Sequence, residues 1–249
     1  MKKNEVPRLR MFAGPNGSGK STLKSMIRPE LLGVYINPDE IEKEIQDRGF
    51  LDLRKYQIST SSQEIESYIK KSQLIPEKAI SKEHQFNFFE NKLSFEIKNI
   101  DGYLGSLISD FIRKKLIEQF KSFTFEIVMS HPDKIELLKR AQDLGYRTYL
   151  YYIATEDPSI NISRVQYRVQ TGGHGVPEDK IVTRYNRSLE LLLSAIQYAN
   201  RAYIFDNSTH EHIWIGEVTD GRSLEIKTDL IPAWFKTALL DKFQTVSSY

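Results

Sequence analysis

The sequence predicts an α/β fold: a mainly parallel five-stranded sheet with helices on both faces, a helical insertion and a C-terminal β-hairpin. Two observations carry this. Short runs of β-branched and aromatic residues alternate with longer amphipathic stretches, the pattern of strands joined by crossover helices. A glycine-rich segment, Gly14–Thr22, stands between the first of those strands and the first of those helices. No repeat of fixed period competes with the alternation. At 249 residues the chain can bury a substantial core, and the expected organisation is a single domain over 1–249 with an insertion at 50–121.

The elements follow in order. Leu9–Ala13 reads as a strand running into the glycine-rich turn, and Ser21–Ile27 as the helix leaving it. Val34–Ile36 is a second strand. Pro38-Asp39-Glu40 then opens a helix, with proline and two acids in the first turn where the unpaired amides point. The stretch from Phe50 to Lys121 is polar and lysine-rich, and Tyr103–Phe120 is its clearest helix. Phe123–Met129 is strand-like, and the helix begun by His131-Pro132-Asp133 stops at Gly145. Arg147–Ala154 is the next strand, followed by a helix from Asp157-Pro158 to Thr171-Gly172-Gly173. From Val176-Pro177-Glu178 a further helix carries Ile181, Tyr185, Leu189, Leu192 and Ile196 at spacings of three and four. Ala202–Phe205 is the fifth strand, and Ile213–Val218 and Leu224–Lys227, joined through Asp220-Gly221, form the hairpin.

Composition removes several classes of function. With 35 basic against 33 acidic side chains, the net charge of +2 is far from the concentrated positive field of backbone-driven nucleic-acid binding. No cysteine is present, which excludes disulfides, thiol nucleophiles and thiolate metal sites and fits a reducing cytoplasm. The apolar stretch after the basic amino terminus, Met11–Ala13, is too short for a signal peptide, and no uncharged run approaches the ~20 residues of a membrane span. The expectation is a cytoplasmic protein with no membrane or nucleic-acid partner.

Gly14-Pro15-Asn16-Gly17-Ser18-Gly19-Lys20-Ser21-Thr22 fits G-x-x-x-x-G-K-[ST] between strand and helix, the context such a phosphate-binding loop requires. Glycines let the backbone curl with its N–H groups inward, Lys20 adds a charge at the outer phosphates, and the Ser21 hydroxyl suits Mg²⁺. ATP and Mg²⁺ are the expected cofactors. A guanine-reading Asn-Lys-x-Asp is missing, since Asn91-Lys92-Leu93 is followed by Ser94, and the surroundings of Thr171-Gly172-Gly173-His174 are not those of transporter ATPases. Phosphotransfer is the stronger option.

Asp39 follows the second strand, so a parallel sheet would place it at the ligand-binding carboxyl ends, where a carboxylate can take the proton of an attacking hydroxyl. Arg164 and Arg168 are four apart and share one helix face; Arg184 and Arg187 are three apart on the next. Such arginines, hinged at Gly172-Gly173, can stabilise the charge of a transferring phosphoryl group, although surface ion pairing is the competing role for any one of them. Glu126, on a central strand, could hold a Mg²⁺-bound water or a substrate hydroxyl. His174 beside the hinge suits a structural hydrogen bond, and His210 and His212, placed on one side of a strand, lack a third ligand for a metal.

These segments resemble the zeta-toxin-like P-loop kinases, particularly their predicted ATPase or kinase branch. The likeness is carried by Gly14–Thr22, Asn37-Pro38-Asp39-Glu40-Ile41, Phe125-Glu126, Asn161–Val165, Gly172–Pro177, Arg184–Leu189 and Asp206-Asn207-Ser208. It covers the α/β core but not Phe50–Lys121. The resemblance implies a P-loop kinase-like fold and ATP-dependent phosphorylation of a hydroxyl on a small metabolite, which in zeta toxins is a UDP-linked N-acetyl amino sugar. It further implies Lys20 and Ser21 on ATP and Mg²⁺, Asp39 as base, Glu126 and Arg187 in the substrate region, Arg164, Arg168 and Arg184 on the γ-phosphate, and an antitoxin protein as candidate partner. Where that family commonly has two threonines after the strand glutamate, this chain has Ile127-Val128, which weakens the sugar assignment. A polynucleotide 5′-hydroxyl kinase and a non-catalytic ATP-responsive binding protein are the alternatives.

Overall fold

The computed structural model describes residues 6–72, 86–95, 102–173 and 175–246; His174 lies outside them. In chain order the elements are β1 (Arg8–Ala13), α1 (Lys20–Ser25), α2 (Pro29–Leu32), β2 (Val34–Ile36), α3 (Pro38–Arg48), β3 (Phe50–Asp52), α4 (Ser62–Lys71), β4 (Phe86–Phe89), β5 (Lys92–Phe95) and α5 (Gly102–Glu118). The chain continues through β6 (Phe123–Ile127), α6 (Asp133–Asp143), β7 (Arg147–Ala154), α7 (Pro158–Gln170), α8 (Glu178–Glu190), α9 (Leu192–Ile196), β8 (Arg201–Asp206), β9 (Ile213–Thr219), β10 (Ser223–Ile226), α10 (Ala233–Phe235) and α11 (Asp241–Val246). It divides into two compact units, Met1–Leu32 with Thr124–Tyr249, and Gly33–Phe123.

In the first unit the strand order is β10-β9-β8-β7-β1-β6. β1 and β8 both run parallel to β7, whereas β9 and β10 close the edge as an antiparallel hairpin. Asp220 and Gly221 both have positive φ at the hairpin turn, which matches the twist of the strands they join. Five consecutive residues of β1 are buried, as expected of a strand covered on both faces. On one face Phe12, Ile153 and Leu23 of α1 form a buried cluster; on the other Tyr152 meets Ser188 of α8 through a 3.0 Å hydrogen bond and the ring of Trp234 of α10 at 6.1 Å. Burying a side chain such as Phe12 contributes about 1.5–3 kcal/mol.

The second unit holds β2, α3, α4, α5 and a three-stranded antiparallel sheet in the order β3-β5-β4. α3 packs on α5. Ser61 and Glu64 cap α4 reciprocally. Between α4 and α5 the Tyr68 hydroxyl donates to Asp110, which also meets Arg113 at 3.1 Å and Lys114 at 2.9 Å, while Lys115 lies 2.8 Å from Glu64. The stretch expected to be helical thus also contains β3–β5. Among the described residues no helix is long and apolar enough to cross a membrane.

Candidate active site

β1 lies between β7 and β6, so the loop from Gly14 to Gly19 leaves the sheet where neighbours on either side come from distant parts of the chain, a place where ligands bind in open α/β sheets. Its backbone needs glycine where it curls. Gly14 (φ 148°) and Gly19 (φ 95°) hold conformations that a side chain resists, and a Cβ on either would strike the Ile153 carbonyl or the Asn207 amide.

Lys20, the first residue of α1, folds over its own loop, with Nζ donating to the carbonyls of Gly14 at 3.1 Å and Pro15 at 2.7 Å. The next residue, Ser21, donates through Oγ to Glu126 Oε2 at 2.8 Å. Glu126 is buried on β6, 6% exposed, so a hydroxyl and a carboxylate stand side by side next to the glycine-rich loop.

Side-chain amides brace the loop. Asn161 of α7 donates to the Asn16 carbonyl at 2.5 Å while its own oxygen accepts from the Thr155 hydroxyl. Asn207, just past β8, donates to the Ser18 carbonyl at 2.8 Å. Asp206 holds that segment in place by accepting from Ser208 and from the Trp234 indole at 2.7 Å. The Tyr185 hydroxyl donates to the Thr155 carbonyl at 2.6 Å, tying α8 to the end of β7, and burial raises its pKa. No role for Thr155, Asn161 or Asn207 is readable from composition or spacing; Asn161 and Asn207 stand out only as side-chain amides inside the segments that carry the family resemblance, and Thr155 lies outside those segments.

Two of the four expected arginines reach this region. Arg184 Nη1 donates to Asn16 Oδ1 at 3.4 Å, and Arg164 Nη2 donates to the Thr209 carbonyl at 3.2 Å. Burial lowers the Arg164 pKa, partly offset by the charge of Asp206. Arg168 instead folds back toward the end of α7, where its side chain and carbonyl lie against Gly173, and Arg187 is exposed on α8. His210 and His212 are in the loop before β9 rather than on a strand, and a Cβ on Gly19 would lie 3.3 Å from His212 Nε2. Asp39 belongs to the second unit, at the start of α3, where the side chain of Asn37 accepts its backbone N–H at 2.9 Å.

No protein-family model matches the chain. An uncharacterized protein of Haemophilus influenzae is 35% identical over 69 residues, 28% of this chain and 49% of that protein, so the match spans about half of the relative. A chain of the crystal structure of AvrRxo1-ORF1:AvrRxo1-ORF2 with sulphate ions superposes with a TM-score of 0.58 at 12% identity, covering 98% of this chain and 64% of its own. The same complex with ATP gives 0.56 at 11% identity, over 98% and 64%. At such identities the likeness is one of fold. The molecule shares with that chain an α/β fold, a mainly parallel sheet flanked by helices, as the sequence predicts.

Proposed function

We propose that this protein is an ATP-dependent phosphotransferase that phosphorylates a hydroxyl of a small metabolite. The observation that supports it most is the grouping of Lys20, Ser21 and Glu126 at a glycine-shaped loop beside the central strand. Lys20 would leave the Gly14 and Pro15 carbonyls for the outer phosphates. Ser21 Oγ and Glu126 Oε2 are hard oxygen donors that suit Mg²⁺, which needs only one or two protein ligands beside phosphate and water. When bound, that ion neutralises charge building between the outer phosphates. Glu126 in this reading serves the metal side of the site.

Asp39 is proposed as the base that takes the acceptor proton, on the strength of its position after the second strand and the family likeness. Arg164 and Arg184 are proposed as the cations that stabilise the transferring phosphoryl group, with Arg168 and Arg187 joining if α7 and α8 shift on binding. The acceptor is a small alcohol, with a UDP-N-acetyl amino sugar as candidate; Ile127 and Val128 offer it no hydroxyl. An antitoxin-like protein is the proposed partner, supported by the two-component complex from which the similar chain comes. Incubation with MgATP and a metabolite extract, followed by mass spectrometry, should show a species heavier by one phosphate. ATP bound but no phosphorylated product from a broad panel of extracts would refute the enzyme reading.

A further inference from the structure

Four aromatic rings form a row across one face of the sheet in the first unit. Phe12 of β1 stacks on Tyr151 of β7 at 4.6 Å, Tyr151 stacks on Tyr203 of β8 at 5.0 Å, and Tyr203 meets Trp214 of β9 at 6.2 Å. The parallel register sets Arg10 and Tyr149 on the same face, one step back along β1 and β7. Helix α1 covers the Phe12 end, where Leu23 packs. Beyond it the face is open: Tyr149 and Tyr203 are half-buried, Arg147 is exposed, and Trp214 is 40% exposed. An open face rich in tyrosine, tryptophan and arginine has the composition of binding hot spots.

What the face offers narrows its partner. The rings of Phe12, Tyr151 and Tyr203 cover one another, Lys227 lies 5.1 Å over the Trp214 ring, and Arg10 and Arg147 lie 5.2 and 5.8 Å from the centre of the Tyr149 ring. Bases bind aromatic platforms through free ring faces, so a single-stranded nucleic acid finds little to stack on here. Phenol hydroxyls, electropositive ring edges and guanidinium N–H groups remain, and all of them suit acceptor oxygens. Charge points the same way. Glu217 and Glu225, acids on this face, are already engaged by Arg201 and Lys227. Arg10, 5% exposed, and Arg147 have the Tyr149 ring as neighbour instead of a carboxylate, and a cation so nearly buried gains most from a counter-charge. Arg10 also lies four residues before Gly14, about 13 Å along an extended strand, which sets this patch apart from the glycine-rich loop.

We propose that this face docks an acidic segment of a partner polypeptide, whose carboxylates meet Arg10 and Arg147 while its backbone oxygens follow the row from Tyr149 to Trp214. The proposal is independent of the phosphotransferase reading and holds whether or not the chain transfers phosphate. Fluorescence anisotropy tests it with three labelled probes: a peptide rich in Glu and Asp, its Gln and Asn counterpart, and an oligothymidine. The expected result is saturable binding of the acidic peptide, at least about tenfold tighter than either other probe and unchanged by MgADP. In Arg147→Glu that affinity should fall about tenfold, near 1.4 kcal/mol, whereas Arg140→Glu, an equal change in net charge on α6, should stay within about twofold. Both arginines are exposed, so neither change should disturb the fold, and circular dichroism checks this. A second measurement needs no variant. Of the two tryptophans, Trp214 should shift its indole resonance with the acidic peptide and buried Trp234 should not. Equal weakening in both variants, displacement by MgADP, preference for oligothymidine, a silent Trp214 resonance or no binding of the acidic peptide overturns the proposal. Self-association in sedimentation that Arg147→Glu abolishes would assign the face to a second copy of this chain and overturn it as well.

Discussion

The glycine-rich loop and the α4–α5 seam are both rich in polar side chains, yet they use them differently. In the seam, carboxylates face cations: Asp110 meets Arg113 and Lys114, and Glu64 meets Lys115. Around the loop, neutral amides do the holding, through Asn161 and Asn207. Carboxylate–cation pairs tie one helix to another, whereas amides aimed at backbone carbonyls fix the course of a loop. The contrast is between a region held by charge and one shaped by neutral hydrogen bonds.

Four substitutions sharpen or break that contrast. Lys20→Ala should have the largest effect, a loss of phosphate transfer of about 10³-fold or more, because a charge on the outer phosphates disappears. Radiolabelled transfer in the wild type and variant measures it, and a variant with near-normal turnover would remove the loop from the chemistry. Asp39→Asn should lower turnover by about 10²–10³-fold and leave ATP affinity within about twofold, the mark of a base rather than a binding group. Parallel loss of ATP binding would reassign Asp39 to structure.

The seam should respond to acid instead. Burial alone would raise the Asp110 pKa, but the Arg113 charge and the Tyr68 and Lys114 hydrogen bonds outweigh it and bring it to about 2 from an ordinary 3.8. A carboxyl depressed in the folded state contributes stability that is present above the unfolded value and lost as pH falls from about 4 through about 2, on the order of 2 kcal/mol in all. Urea unfolding across that range should show this slope in the wild type and a flatter one in Asp110→Asn. The smallest effect belongs to Asn207→Ala, which removes one brace at Ser18 and should weaken ADP binding about fivefold, roughly 1 kcal/mol, with little change in far-ultraviolet circular dichroism. A far larger loss there would mean that the amide touches the ligand itself.

The sheet, its hairpin and the phosphate loop were legible because their signals are local: strand-like runs, glycines at fixed offsets, and a lysine and a hydroxyl placed next to each other. In the sequence Glu126 stands out as an acid on a buried strand, yet its contact with Ser21 is made by residues 105 positions apart. Asn161 and Asn207 stand out only as part of a familiar stretch, since an asparagine looks the same whether it faces water or a loop 145 or 189 residues away. The β4–β5 hairpin was hidden by its turn. Glu90 and Asn91 both adopt positive φ, and glutamate gives little warning of that conformation, so Asn91-Lys92 drew attention as a failed base-reading motif instead.

The brace at Ser18 has a consequence for how activity is acquired. The brace joins Ser18 to a residue 189 positions further along the chain, so the loop is fully held only once β8 is docked beside β7. Damage that frays β8 should therefore loosen the glycine-rich turn from a distance, with every residue of that turn intact.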